Sequence, residues 1–139
     1  MKRILIFAAL ACVVGFGTFG CGGSSSGTVT TSPYLGSYSG TFTTSKGQTG
    51  TAEFSVASNG DVSGTLHNNT TGQTGTINGS VDSSGNVNIT STYSSGSTKD
   101  TGTVSINPTT RILSGTLTEY MNGGVYDSIT LQVMLQPTK

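Results

Sequence analysis

The chain of 139 residues has no Trp, one His, two Cys and three Pro, and only 9% of its residues carry charge. Each shortage removes a class of function. A lone His67, with Cys12 and Cys21 near the start, cannot supply a metal site built on His or Cys. Nucleophilic catalysis needs a nucleophile beside an oriented base. His67 follows Leu66 in an alternating run, so it points outward as an exposed polar group. No Gly-x-Ser-x-Gly, phosphate-loop or zinc-spacing pattern is present. No basic run follows Lys2-Arg3, so nothing marks a nucleic-acid partner. These absences point away from an enzyme.

What is abundant is Gly, at 21 residues, in a chain of zero formal net charge. Disorder comes with high net charge and few β-branched or aromatic residues. Here Val, Ile, Thr, Tyr and Phe recur at regular spacing, as in one all-β domain with many short strands and Gly-rich turns.

The N-terminus reads differently. Lys2 and Arg3 precede an apolar run from Ile4 to Phe19, broken by Gly15 and Gly17 and short for a membrane span. A charged start, an apolar middle and small residues at the exit describe a signal peptide over residues 1–20. Thr18-Phe19-Gly20-Cys21 resembles a bacterial lipobox. The resemblance implies that Cys21 becomes the lipidated first residue of the mature protein, with several acyl chains holding it to a membrane. Cys12, after Ala9-Leu10-Ala11, is a second candidate with a shorter apolar run before it. Gly22 in place of Asp after the Cys implies, by analogy with enteric bacteria, an anchor in the outer membrane of the cell envelope. Residues 21–32 then form the lipidated Cys and a Gly/Ser/Thr tether, which as a flexible coil reaches roughly 20 Å. Beyond the covalent lipid, no cofactor is expected.

From Pro33 the pattern alternates, and residues 33–139 form the folded domain. Eight runs are discernible, from Tyr34, Tyr38 and Phe42 in the first to Val125, Ile129, Leu131, Val133 and Leu135 in the last. The linkers SKGQ, SNG, NTTGQ, SSG, SSGSTK, NPTT and MNGG are too short for parallel crossovers. The expected fold is therefore an eight-stranded antiparallel up-and-down meander. One apolar and one polar face per strand, with no helix to cover a sheet, favours closure into a small barrel over a β-sandwich. Outward Ser, Thr, Asn and Gln speak against a barrel that spans a membrane. Gly36, Gly40, Gly64, Gly79 and Gly115 fall on the inward face, where strong coiling in a narrow barrel or a bulky neighbour calls for them.

Gly36-Ser37-Tyr38 resembles the Gly-x-Trp opening of lipocalins, and Gly60-Asp61-Val62-Ser63-Gly64-Thr65 is similar to a strand pair in avidin-type proteins. Both belong to the calycin class of small barrels, which implies a carrier of a small apolar ligand. Tyr34, Tyr38, Phe54 and Tyr93 are the inward aromatics that would contact it. Biotin is not implied, because avidin-type proteins wall that site with Trp.

Among the carboxylates, Glu53 and Asp61 fall on outward or turn positions, and Asp82 and Asp100 read as loop edges. Asp82-Ser83-Ser84-Gly85-Asn86 has a faint likeness to a Ca²⁺ loop but reads first as a hairpin turn. Glu119 and Asp127 differ. Pairing Leu117 with Ile129 puts both carboxylates inward and opposite each other, with a three-residue loop Asn122-Gly123-Gly124 and Met121 facing Val125. Opposed like charges are unfavourable. A solvated barrel rim, a salt bridge to Lys99 or Arg111, a shared proton or a Ca²⁺ ion would each resolve the conflict. A two-residue Asn122-Gly123 loop that pairs Thr118 with Asp127 would dissolve it.

Three functions follow as expectations. The first is a membrane-anchored lipoprotein with a β-barrel module that binds a ligand or an envelope component. The second is a calycin-like carrier of an apolar ligand. The third is a structural or adhesive protein acting through its outward Thr pairs, with Tyr126 as the clearest outward aromatic. Oligomeric state is not legible.

Overall fold

A computed structural model of the chain describes residues 30–135; the signal peptide, Cys12, Cys21 and most of the tether lie outside the described residues. Eight strands follow one another: β1 (Gly36–Thr44), β2 (Thr49–Val56), β3 (Asp61–Asn68), β4 (Gln73–Val81), β5 (Asn86–Tyr93), β6 (Gly96–Ile106), β7 (Ile112–Met121) and β8 (Gly124–Leu135). Each pairs antiparallel with the next, and β1 pairs with β8, so the meander closes into a barrel without a free edge. No helix among the described residues is long and apolar enough to cross a membrane.

Alternation places Tyr38, Phe42, Ala52, Val56, Val62, Leu66, Ile77, Val81, Val87, Val104, Leu113, Leu117 and Val133 in one buried core. The outer wall carries the threonines. Thr103, Thr116, Thr130, Thr43 and Thr49 are successive partners across β6, β7, β8, β1 and β2. Such cross-strand pairs support a sheet whose outer face is wet.

Closure at this width requires the inward glycines. A Cβ on Gly64 would lie 2.2 Å from the Glu53 carbonyl oxygen and 2.5 Å from Phe54 Cα. At Gly115 it would lie 2.2 Å from the Thr103 carbonyl oxygen. Both expected causes are therefore present at once. The strands coil tightly enough to touch backbone to backbone, and a side chain of the neighbouring strand, Phe54 at Gly64 and Val104 at Gly115, also meets the added atom.

The two ends of the barrel differ. At one end the chain enters through Tyr34, which precedes β1 and plugs the interior. The Tyr34 hydroxyl donates to the Val104 carbonyl at 3.3 Å, and the Tyr38 hydroxyl donates to the Tyr34 carbonyl at 2.8 Å. The other end, ringed by the β1–β2, β3–β4, β5–β6 and β7–β8 hairpins, is the mouth.

The β7–β8 hairpin combines the two registers foreseen for it. Leu117 pairs with Ile129 and Glu119 with Asp127, yet the loop has only two residues, Asn122 and Gly123, with φ of 52° and 80°. Positive φ at both positions is the turn that matches strand twist. A β-bulge after Glu119 reconciles the two: Tyr120 faces Val125, Met121 faces Gly124, and Tyr126 is the extra residue. The three-residue loop and the Met121–Val125 pair are thus corrected. The bulge also turns Val125 out of the inward series, leaving it 71% exposed.

Gly64→Ala should destabilise the barrel by about 1–3 kcal/mol through overpacking against β2. Urea unfolding checks this, with Gly124→Ala, which is exposed, of ordinary φ and met by nothing nearer than 3.8 Å, as the comparison for backbone effects.

Candidate functional site

The interior is divided by polarity. Toward the plugged end it is wholly apolar and leaves a residual cavity of about 60 Å³ among residues that include Phe54, Val81, Ile89, Val104 and Leu131. Ligand sites usually measure about 300–1,000 Å³. The four aromatics expected to surround an apolar ligand are also dispersed. Tyr34 is the plug, Tyr38 stacks on Phe54 with centroids 5.3 Å apart, and Tyr93 stands at the mouth.

Toward the mouth the inward positions turn polar. Asp100, Glu119 and Asp127 are direct partners on β6, β7 and β8, and all three are buried, at 1%, 9% and 4% exposure. Asp100 is not the loop-edge residue it was expected to be. Ser97, Thr98 and Lys99 belong to β6, the β5–β6 connection has only Ser94 and Ser95, and Asp100 is among the most buried side chains in the protein. Counting back by twos from Val104 through Gly102 reaches it. Nor does water at a rim relieve the pair of Glu119 and Asp127. The salt-bridge partners considered for them are elsewhere: Lys99 is exposed on the outer wall, and Arg111 lies in the β6–β7 loop at the plugged end.

Hydroxyls and one backbone amide supply part of what the carboxylates need. Ser91 donates to Asp100 Oδ2 at 2.6 Å. Ser45, from the β1–β2 hairpin, donates to Asp127 Oδ1 at 2.6 Å, and the Ser128 amide donates to the same oxygen at 2.7 Å. Asp100 Oδ1, Asp127 Oδ2 and Thr98 Oγ1 are shut off from solvent without a hydrogen-bond partner. The Thr98 hydroxyl is near enough to Asp100 and Glu119 to favour their charged forms, but bonds fully to neither.

These environments separate the three acids. Burial raises the Asp100 carboxyl above its ordinary value, against the Ser91 bond. Burial likewise raises Glu119, with Asp100 and Asp127 adding to the rise. Asp127 is lowered: burial opposes this, but the Ser45 and Ser128 donors outweigh it. Beside them, burial and the two acids push the Tyr93 hydroxyl up to about 12.

Above the acids lies a cleft of about 290 Å³, lined by Gln48, Asn68, Gln73, Tyr93, Thr98, Glu119, Met121 and Tyr126, among others. Glu119 is its acidic wall. Lys46, at the tip of the β1–β2 hairpin, holds its ammonium 3.2 Å from the centroid of the Tyr126 ring. A broader hollow of about 560 Å³ on the outer wall, between Thr90, Lys99, Thr101 and Tyr120, is shallow and open. No three of His, Cys, Asp and Glu among the described residues are grouped to hold a metal ion. The Asp82 carboxylate serves its own turn, accepting from the Ser84 and Asn86 amides at 2.8 and 2.9 Å. His67 is exposed beside Thr74, with Nδ1 3.0 Å from its hydroxyl oxygen.

No family model, curated protein or solved structure matches the chain. The site therefore has to be interpreted from its own chemistry.

The pH dependence follows from the shifts. A raised native carboxyl binds its proton more tightly folded than unfolded, so stability grows as pH falls through the raised values and levels off near 4. Asp127, being lowered, contributes above the unfolded value and loses its contribution only below about 4. Asp100→Asn should accordingly be more stable than the native chain at pH 7 and show a smaller rise toward pH 4, measured by urea unfolding across that range.

Proposed function

We propose that the protein is an envelope-anchored lipoprotein whose barrel is a binding module, with the mouth as its ligand end. The carrying observation is the polar half of the interior. Buried polar atoms without partners reduce stability, each by about 1–3 kcal/mol. A barrel that served only as a scaffold would place apolar residues at positions 98, 100, 119 and 127, as it does at the plugged end. Instead these positions carry Thr, Asp, Glu and Asp beneath a cleft of about 290 Å³.

The geometry suits an anchor at Cys21. The chain reaches the barrel at the plugged end, where the Ser32 amide donates to the Ser58 carbonyl at 2.8 Å. A lipid on the tether would hold that end nearest the membrane and leave the mouth facing away, toward the periplasm in an outer-membrane setting. The carrier reading gains little support from an apolar cavity of about 60 Å³. An enzymatic reading gains no support from His67, which is exposed on the outer wall beside Thr74.

Two measurements test this reading. Expressed in a bacterium, the full-length chain should fractionate with membranes and carry a lipid-modified Cys21 by mass spectrometry, and Cys21→Ser should release it. A soluble, unmodified mature chain would overturn the anchoring. In spectra of the ¹⁵N-labelled protein, an extract of envelope small molecules should shift mouth amides, not those around Tyr34.

A further inference from the structure

We propose that the mouth is a site for a primary ammonium group carried on a short alkyl stem. This rests on the mouth being the ligand end. Three observations converge. First, Glu119 lines the cleft, flanked by Asp100 on β6 and Asp127 on β8, and no described hydrogen bond or ion pair brings a cation to any of them. Second, Thr98 lines the same cleft, and its Oγ1, enclosed just beneath the surface with its hydroxyl turned to Asp100 and Glu119, accepts from no donor of the fold. Third, the chain already places one ammonium at this rim. Lys46 Nζ sits over the Tyr126 ring, and its charge is felt at both Glu119 and Asp127.

The walls fit the rest of such a ligand. Met121 and Tyr126, 40% and 39% exposed, give an alkyl stem an apolar surface at the entrance, and the Tyr93 ring continues it inward. An ammonium held between a carboxylate and an aromatic face gains from both. Lys46 then acts as a tethered occupant of the rim, which an incoming ammonium displaces. Removing its charge and removing the charge of Glu119 should therefore change affinity in opposite directions, which a merely structural role for either residue would not produce.

The test titrates the ¹⁵N-labelled full-length chain with n-butylammonium, with butyrate, methyl β-glucoside and calcium chloride as comparison probes. Butylammonium alone should give saturable shifts at the amides of Tyr93, Thr98, Glu119 and Tyr126. Glu119→Gln should weaken binding by about tenfold or more, and Lys46→Gln should tighten it by about two- to fivefold. Should Glu119→Gln fail to fold, Lys46→Gln decides, and unchanged or weaker binding overturns the proposal. Equal shifts with butyrate or the glucoside overturn the cation but leave the mouth as the ligand end. Shifts with calcium alone overturn it in favour of a metal. Silence with all four probes overturns both the cation and the mouth reading.

Discussion

The constraint on which this structure depends is the contact of backbone with backbone at the inward glycines. Eight strands of roughly eight to twelve residues can form a sheet in many ways, but they close at this width only where neighbouring chains approach within van der Waals distance. Gly64 against β2 and Gly115 against β6 are such points. Because Gly64 sits against Phe54 and Gly115 against Val104 on the adjacent strands, tight coiling and a filled core are one solution to one problem. Closure in turn leaves no free sheet edge among the described strands for another strand to pair with.

A filled apolar half stabilises the barrel strongly enough to carry an unfavourable polar half. Tyr34 and Tyr38 seal one end with hydroxyls that both find acceptors, while the acids at the other end are only partly satisfied. The asymmetry divides one small interior into two chemically distinct halves. The plugged half carries the apolar packing and the open half carries the acids, toward which the β1–β2 hairpin sends Ser45 and Lys46.

Much of this was legible in the residues. Alternation reports which face of a strand is buried, so the eight strands, the closed meander, the inward glycines and the pairing of Glu119 with Asp127 all followed from it. What alternation misses is a change of phase. The extra residue at Tyr126 lets a two-residue turn coexist with a register that seemed to need three, and Val125 leaves the core as a result. Asp100 was obscured for another reason. Ser-Ser-Gly-Ser-Thr-Lys has the composition of a loop, yet its last four residues are strand, because a polar inward face toward the mouth removes the hydrophobic signal that marks strands elsewhere. Burial of the acids was hidden for the same reason: nothing local distinguishes a wet rim from a hydroxyl-lined pocket whose donors, such as Ser45 and Ser91, come from distant positions.

The pairing of β1 with β8 sets the start of one strand beside the end of the other, with Tyr38 opposite Leu135 at the plugged end. The connections β2–β3, β4–β5 and β6–β7 lie at that same end. The order of the strands is thus cyclic in space, and the place where the chain is cut is a matter of convention for the sheet. A circular permutant linked from Leu135 back to Ser32, so that the Tyr34 plug is kept, and opened at the Asp82–Gly85 turn would preserve the strand order and all four mouth hairpins. The acids and their hydroxyl donors would then stand in their present relation, carried by a chain that begins and ends halfway around the barrel.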